Sequence, residues 1–241
     1  MSDATPVWRR LLAPLAPALI DKVERDHTQP DAEFRRRRLV VAVVLVVGAV
    51  LLGVSLAVEP GDPAFYPLTL LTAGVWVLGG ILSGPLHLGR IPFRGTLRRP
   101  VVTPVLLGLA VAAVFVVGAL VVRQVPLAEG YVDDVLAHFF AGVVPLVWTV
   151  ALVNGVAEEV FFRGGLFAAI GREHPVVIST AIYALATVAT GNPVLVLAAV
   201  VLGGVLGLQR RASGGILGPV LTHVTWSSAM LLALPPLFGS G

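Results

Sequence analysis

The chain has 241 residues, 56% of them hydrophobic and only 13% charged, with a mean hydropathy of +0.91, which lies outside the range of soluble globular domains and marks an integral membrane protein. It has no cysteine, so disulfides, thiolate nucleophiles and Cys-ligated metals are excluded. The net charge of +3 comes from short arginine clusters beside apolar runs, a topology signal with no nucleic-acid partner implied.

Residues 1–34 are too polar to span a bilayer and lack the apolar core and cleavage site of a signal peptide. They are expected to form a cytoplasmic tail. Within it, VWRRLLAPLAPALI suits the membrane surface, although its prolines oppose a long helix. Residues 35–241 predict one all-α domain, a polytopic transmembrane helix bundle with about seven membrane-spanning helices, each span needing roughly 20 apolar residues. Leu39 to Val58, Pro63 to Leu86 and Val101 to Val122 are free of Asp, Glu, Lys and Arg. A fourth span runs from about Pro145 to Ile170 and carries a charged motif. The uncharged run from Pro175 to Leu208 is too long for one span, and Gly191-Asn192-Pro193 divides it into a fifth and a sixth. The seventh covers about Gly215 to Leu234.

With a cytoplasmic N-terminus, all but Arg123 of the 17 Lys and Arg fall on the inner side, while Glu59, Asp62, Glu129, Asp133 and Asp134 fall outside. The positive-inside rule is then satisfied in every loop, which puts the C-terminus outside.

The charged motif is AEEVFFRGG, Ala157 to Gly165. At about 1.5 Å of rise per residue, Glu158 lies about 21 Å up its helix from Arg172. Thr187 on the fifth helix and His223 on the seventh reach nearly the same height. A carboxylate at a helix centre costs on the order of 3 kcal/mol to insert, a cost that packing alone does not offset. Glu159 and Arg163, four apart with the Glu first, form an intrahelical ion pair. Glu158 points elsewhere, on the face shared by Asn154. Held in apolar surroundings, it suits a general base that activates water. His223 could polarise a carbonyl, stabilise an oxyanion or ligate a metal, and Ser227 follows four residues later on the same face. Pro219, one turn before His223, is expected to kink the seventh helix. Asp134 and His138, also four apart, read as outer-interface residues rather than a metal pair. Gly203 and Gly207 form a small-xxx-small pair suited to close helix packing.

Glu158-Glu159-Val160-Phe161-Phe162-Arg163 resembles the EExxxR motif of the CPBP family, the CAAX-protease and bacteriocin-processing-like (Abi-like) intramembrane proteases. The resemblance extends over about 144–234. The run Ile178 to Ala186 is similar to the approach to the second motif, FxxxH, and Gly214 to His223 to the segment before the third, a histidine commonly followed four residues later by Asn. This chain places Tyr183 and Thr187 where the second motif has Phe and His, and Ser227 where the third has Asn. The resemblance implies a peptide hydrolase of a bacterial plasma membrane. In it Glu158 activates water, Glu159 and Arg163 are the structural pair, and His223 is a partner at the scissile carbonyl. Its substrates would be membrane-associated peptides or proteins, in one branch prenylated, and its surroundings membrane lipid. No organic cofactor is expected. For a divalent metal, Glu158 and His223 are the only candidate ligands, short of the usual three. The residues leave two further readings open. One is a non-catalytic descendant, a pseudoprotease that binds a membrane peptide, lipid or protein; the other is a transporter with Glu158 as proton relay, although such a path wants charges distributed along it. Thr187 and Ser227 also read as packing residues bonded to backbone carbonyls.

Overall fold

The computed structural model describes residues 15–239; Val7 to Pro14 of the segment expected at the membrane surface lie outside the described residues. Among the described residues nine helices follow in order: α1 (Ala16–Leu19), α2 (Asp31–Leu56), α3 (Phe65–Ser83), α4 (Val102–Val122), α5 (Pro126–Ala141), α6 (Val144–Ile170), α7 (Pro175–Val188), α8 (Pro193–Ser213) and α9 (Leu217–Phe238). A two-stranded antiparallel hairpin, β1 (Ile91–Phe93) and β2 (Thr96–Arg98), joins α3 to α4. Arg94 and Gly95 turn it with positive φ of 47° and 75°, as a two-residue hairpin loop requires.

Six helices, α2, α3, α4, α6, α8 and α9, are long and apolar enough to cross a bilayer. Their large side chains point outward: Val43, Leu78, Val114 and Leu197 are each more than half exposed. Water would penalise so much contiguous apolar surface, whereas lipid is its natural solvent. The protein is therefore a polytopic membrane bundle. The fifth expected span is the short one. Helix α7 has 14 residues, about 21 Å against a hydrocarbon core of about 30 Å.

Local sequence explains the ends. Proline occupies the first turn of α5, α6, α7 and α8, where its missing N–H costs nothing. Asn192 caps α8 by accepting from the amides of Val194 and Leu195. Its Nδ2 also donates to the Tyr131 carbonyl on α5 at 2.6 Å, tying the α7–α8 turn to a helix that is not among the expected spans. Helix α5 escaped because Glu129, Asp133 and Asp134 interrupt its apolar run, yet Val132 and Leu136 give it a buried stripe. His138 turns its ring toward the carbonyls of Asp134 and Val58, not to the Asp134 carboxylate. The expected kink at Pro219 is absent. Helix α9 begins at Leu217, so Pro219 sits in its first turn and displaces no helical hydrogen bond.

The most extensively packed helix pairs are α3 with α6, α4 with α9, α7 with α8, and α2 with α3, and α6 also packs on α9. Gly203 and Gly207 of α8 face Thr180, Tyr183 and Val176 of α7, the close approach expected of that pair. Residues ahead of α2 pack back on the bundle: the Val23 amide donates to Ala212 at 3.0 Å and Arg25 donates to the carbonyls of Arg211 and Ala212.

Candidate active site

Helix α6 changes pitch at the charged motif. It is α-helical over Val144–Glu158, π-helical over Glu159–Leu166, and α-helical again over Phe167–Ile170. The π segment is wound by bonds that reach five residues back, as the Phe167 amide does to the Phe162 carbonyl; such insertions are rare and concentrate at functional sites. Packing holds the wider coil. Phe161 and Phe162 stack against Trp76 of α3 at ring distances of 4.6 and 5.1 Å. Gly80 of α3 abuts the backbone of Val160, where an added Cβ would stand 2.7 Å from the Val160 carbonyl oxygen.

Glu159 is fully buried, and its Oε1 accepts from two donors, Arg163 Nη1 at 3.0 Å and His223 Nδ1 at 2.8 Å. The expected ion pair is thus present, with the histidine as a third member. Arg163 lies over the Tyr183 ring, 4.8 Å from its centroid. Its carbonyl accepts from Nε of Arg210 on α8 at 2.7 Å. A carboxylate on Nδ1 of His223 assigns the proton to that nitrogen and leaves Nε2 to face the site. Gly155 lines that side of the ring, with room for a Cβ only 3.3 Å from Cδ2.

Glu158, one residue earlier and half-buried, points away from this triad as its place in the helix requires. Its Oε2 accepts from the Tyr183 hydroxyl at 2.5 Å. Its Oε1 has no hydrogen-bond partner among the described residues and is not sealed from solvent. Asn154 shares the face but donates to Val150 in its own helix at 2.9 Å.

The structure therefore brings together Glu158, Glu159, Arg163 and His223, and adds Tyr183. It does not bring in Thr187 or Ser227 by hydrogen bonding. Thr187 is buried and its hydroxyl donates to the Tyr183 carbonyl at 2.9 Å, the packing role of a membrane threonine. Ser227 is half-buried and makes no side-chain hydrogen bond among the described residues, while its neighbour Ser228 donates to the Val224 carbonyl. Sequence reasoning treated Tyr183 as the aromatic of a motif and overlooked its hydroxyl; the signal available was a phenol one turn from the level of Glu158. Arg210, one of the inner-side topology charges by sequence, is buried and bonded to the motif helix.

No group of three His, Asp or Glu side chains with the disposition of a metal site occurs among the described residues. The donor set is thus short of the usual three zinc ligands.

Residues 136–229 match the family model Rce1-like, type II CAAX prenyl endopeptidase, which belongs to the CPBP family. The matched segment contains Glu158, Glu159, Arg163, Tyr183 and His223. No curated protein and no solved structure matches the chain.

Proposed function

We propose, from an Rce1-like CAAX-protease domain spanning residues 136–229 in a polytopic membrane bundle, that this chain is an intramembrane endopeptidase in which Glu158 is the general base. The observation that carries the reading is the unequal treatment of the two glutamates. Glu159 is sealed in the interior, its Oε1 taken by Arg163 and His223 and its Oε2 buried without a partner among the described residues, whereas Glu158 gives one oxygen to Tyr183 and keeps the other open to solvent. Tyr183 fixes the plane of that carboxylate, and Oε1 stays available to accept a proton from water.

A water on Oε1 loses its proton to Glu158 as its oxygen bonds to the scissile carbonyl carbon. Charge develops on the carbonyl oxygen, and Nε2 of His223 polarises it when the ring is the imidazolium, which keeps its Nδ1 proton on Glu159 and carries a second proton on Nε2. Collapse of the tetrahedral adduct breaks the C–N bond, and the proton taken by Glu158 passes to the leaving nitrogen. Carboxylate and amine products result. Glu159 and Arg163 hold His223 and the π segment in place; they do not touch the reacting atoms.

Substrates on this reading are membrane-associated peptides or proteins, reached from the surrounding lipid, with no nucleic acid involved. The charge distribution supports a cytoplasmic N-terminus and an external C-terminus, in a bacterial plasma membrane. A second reading, a non-catalytic binding or scaffold protein of the same fold, is favoured by Thr187, whose hydroxyl is spent on its own helix. The test is cleavage of prenylated and non-prenylated membrane-anchored peptides by the purified protein in lipid, with the cut bond located by mass spectrometry. Cleavage by the native sequence supports the protease. Cleavage only after Thr187→His supports the decommissioned form.

A further inference from the structure

A cavity of about 880 Å³ opens at the basic end of the bundle, between residues 22–31, the start of α2, the segment after α3, the end of α6 and the end of α8. Seven Lys and Arg line it against two acids, Asp31 and Glu173. Its floor contains Arg37, which is 0% exposed. Arg37 donates from Nη2 to the Pro85 carbonyl at 3.3 Å, but its Nε and Nη1 are buried with no partner among the described residues. Arg210, 5% exposed, uses only Nε, toward Arg163; its outer nitrogens have no hydrogen-bond partner among the described residues. Neither arginine has a carboxylate within ion-pair distance there, since the ion pairs found all involve Glu159.

Buried guanidinium groups without an ion-pair partner are costly, and a bound anion offsets the cost. The rest of the cavity agrees. His27 and His87 stack face to face at 3.8 Å. Burial first, then the charges of His87, Arg210 and Arg25, push His27 down to about 4, the response of a base in a positive field. Planar arginine forks suit a tetrahedral oxyanion, and the volume accommodates a phosphate with a small substituent. The cavity lies at an end of the bundle, where the basic ends of the spans α2, α6 and α8 meet.

We propose that this cavity is a phosphate-binding site, with Arg37 and Arg210 as its buried donors and Arg25 as a donor at its rim. The shared chemistry is a phosphate group, either the headgroup of an anionic phospholipid or free phosphate.

The experiment uses the full chain purified in neutral detergent, followed by tryptophan fluorescence on heating. Inorganic phosphate, phosphatidylglycerol and phosphatidylcholine are titrated separately, with sodium chloride at matched ionic strength. A saturable rise in Tm with phosphate or phosphatidylglycerol is expected, with an apparent affinity about tenfold or more weaker in Arg37→Gln. Because Arg37→Gln is a core change, Arg25→Gln is run beside it at the exposed rim, with Arg123→Gln, at the other end of the bundle, as the control. Saturation by phosphatidylglycerol alone assigns a lipid headgroup; an equal response to inorganic phosphate assigns the phosphate group itself. No rise beyond the chloride control, or a rise of the same affinity in the Arg25 and Arg37 variants, would overturn the proposal.

Discussion

The Tyr183 hydroxyl of α7 donates to Oε2 of Glu158 on α6 at 2.5 Å, while the Tyr183 carbonyl accepts from Thr187. One residue thus orients the candidate base and also occupies the hydroxyl that stands where the family motif has histidine. Tyr183→Phe keeps the ring beneath Arg163 and removes only the donor. On the proposed mechanism kcat falls by about 10- to 100-fold, the scale of one hydrogen bond to a charged group, with little change in Tm. An unchanged kcat would show that Glu158 needs no orienting partner.

The two neighbouring glutamates are expected to separate by phenotype. Glu159→Gln leaves Arg163 buried without its counter-ion, and breaking a buried pair from one side costs about 3–5 kcal/mol. A large drop in Tm should follow, measured by heating in detergent. Arg163→Met removes the other partner and should lower Tm in the same direction. Equal Tm for Glu159→Gln and wild type would mean that the network contributes nothing to stability.

Close packing behind the π segment gives an independent test. A Cβ at Gly80 would stand 2.6 Å from Cγ1 and 2.7 Å from the carbonyl oxygen of Val160, so Gly80→Ala must push α3 off the motif helix. Overpacking of this kind costs about 1–3 kcal/mol. Gly118→Ala, where nothing lies within 4 Å, serves as the comparison and should be neutral. A Gly80→Ala protein as stable as Gly118→Ala would contradict the π-helical packing.

His27 sets the expected pH response of the N-terminal segment. Its folded value of about 4 lies below the ordinary value of about 6.5, so the undocked segment binds a proton first as pH falls. Docking is therefore unaffected above about 6.5 and weakens progressively down to about 4. Hydrogen exchange of residues 21–30 should rise across that window, and His27→Asn should flatten the dependence. A pH-independent exchange rate in the native sequence would contradict it.

The spans were legible because lipid demands long uncharged runs, and Glu158, Glu159, Arg163 and His223 were legible because charge in such runs is costly. Helix α5 was not, since three carboxylates broke its apolar pattern while Val132 and Leu136 still buried a stripe. The π segment left no periodic trace: Glu159 to Leu166 are almost all buried, so no solvent-facing polar stripe records the change of pitch. Thr187 was placed level with Glu158 by counting backbone rise, which ignores side-chain length. The phenol of Tyr183, one turn away, covers that distance and takes the contact. The basic cavity was hidden because Arg37 and Arg210 look like ordinary topology charges until burial is seen.

On the proposed mechanism Glu158 takes the proton of the attacking water. Its most direct test is the single-turnover rate of peptide cleavage in lipid by wild type and by Glu158→Gln, with Tm measured on the same samples. Measurable cleavage by wild type and a loss of about 100-fold or more in the variant are expected, at nearly unchanged Tm. Cleavage by Glu158→Gln at the wild-type rate, or no cleavage of any membrane-anchored peptide by wild type, would contradict it.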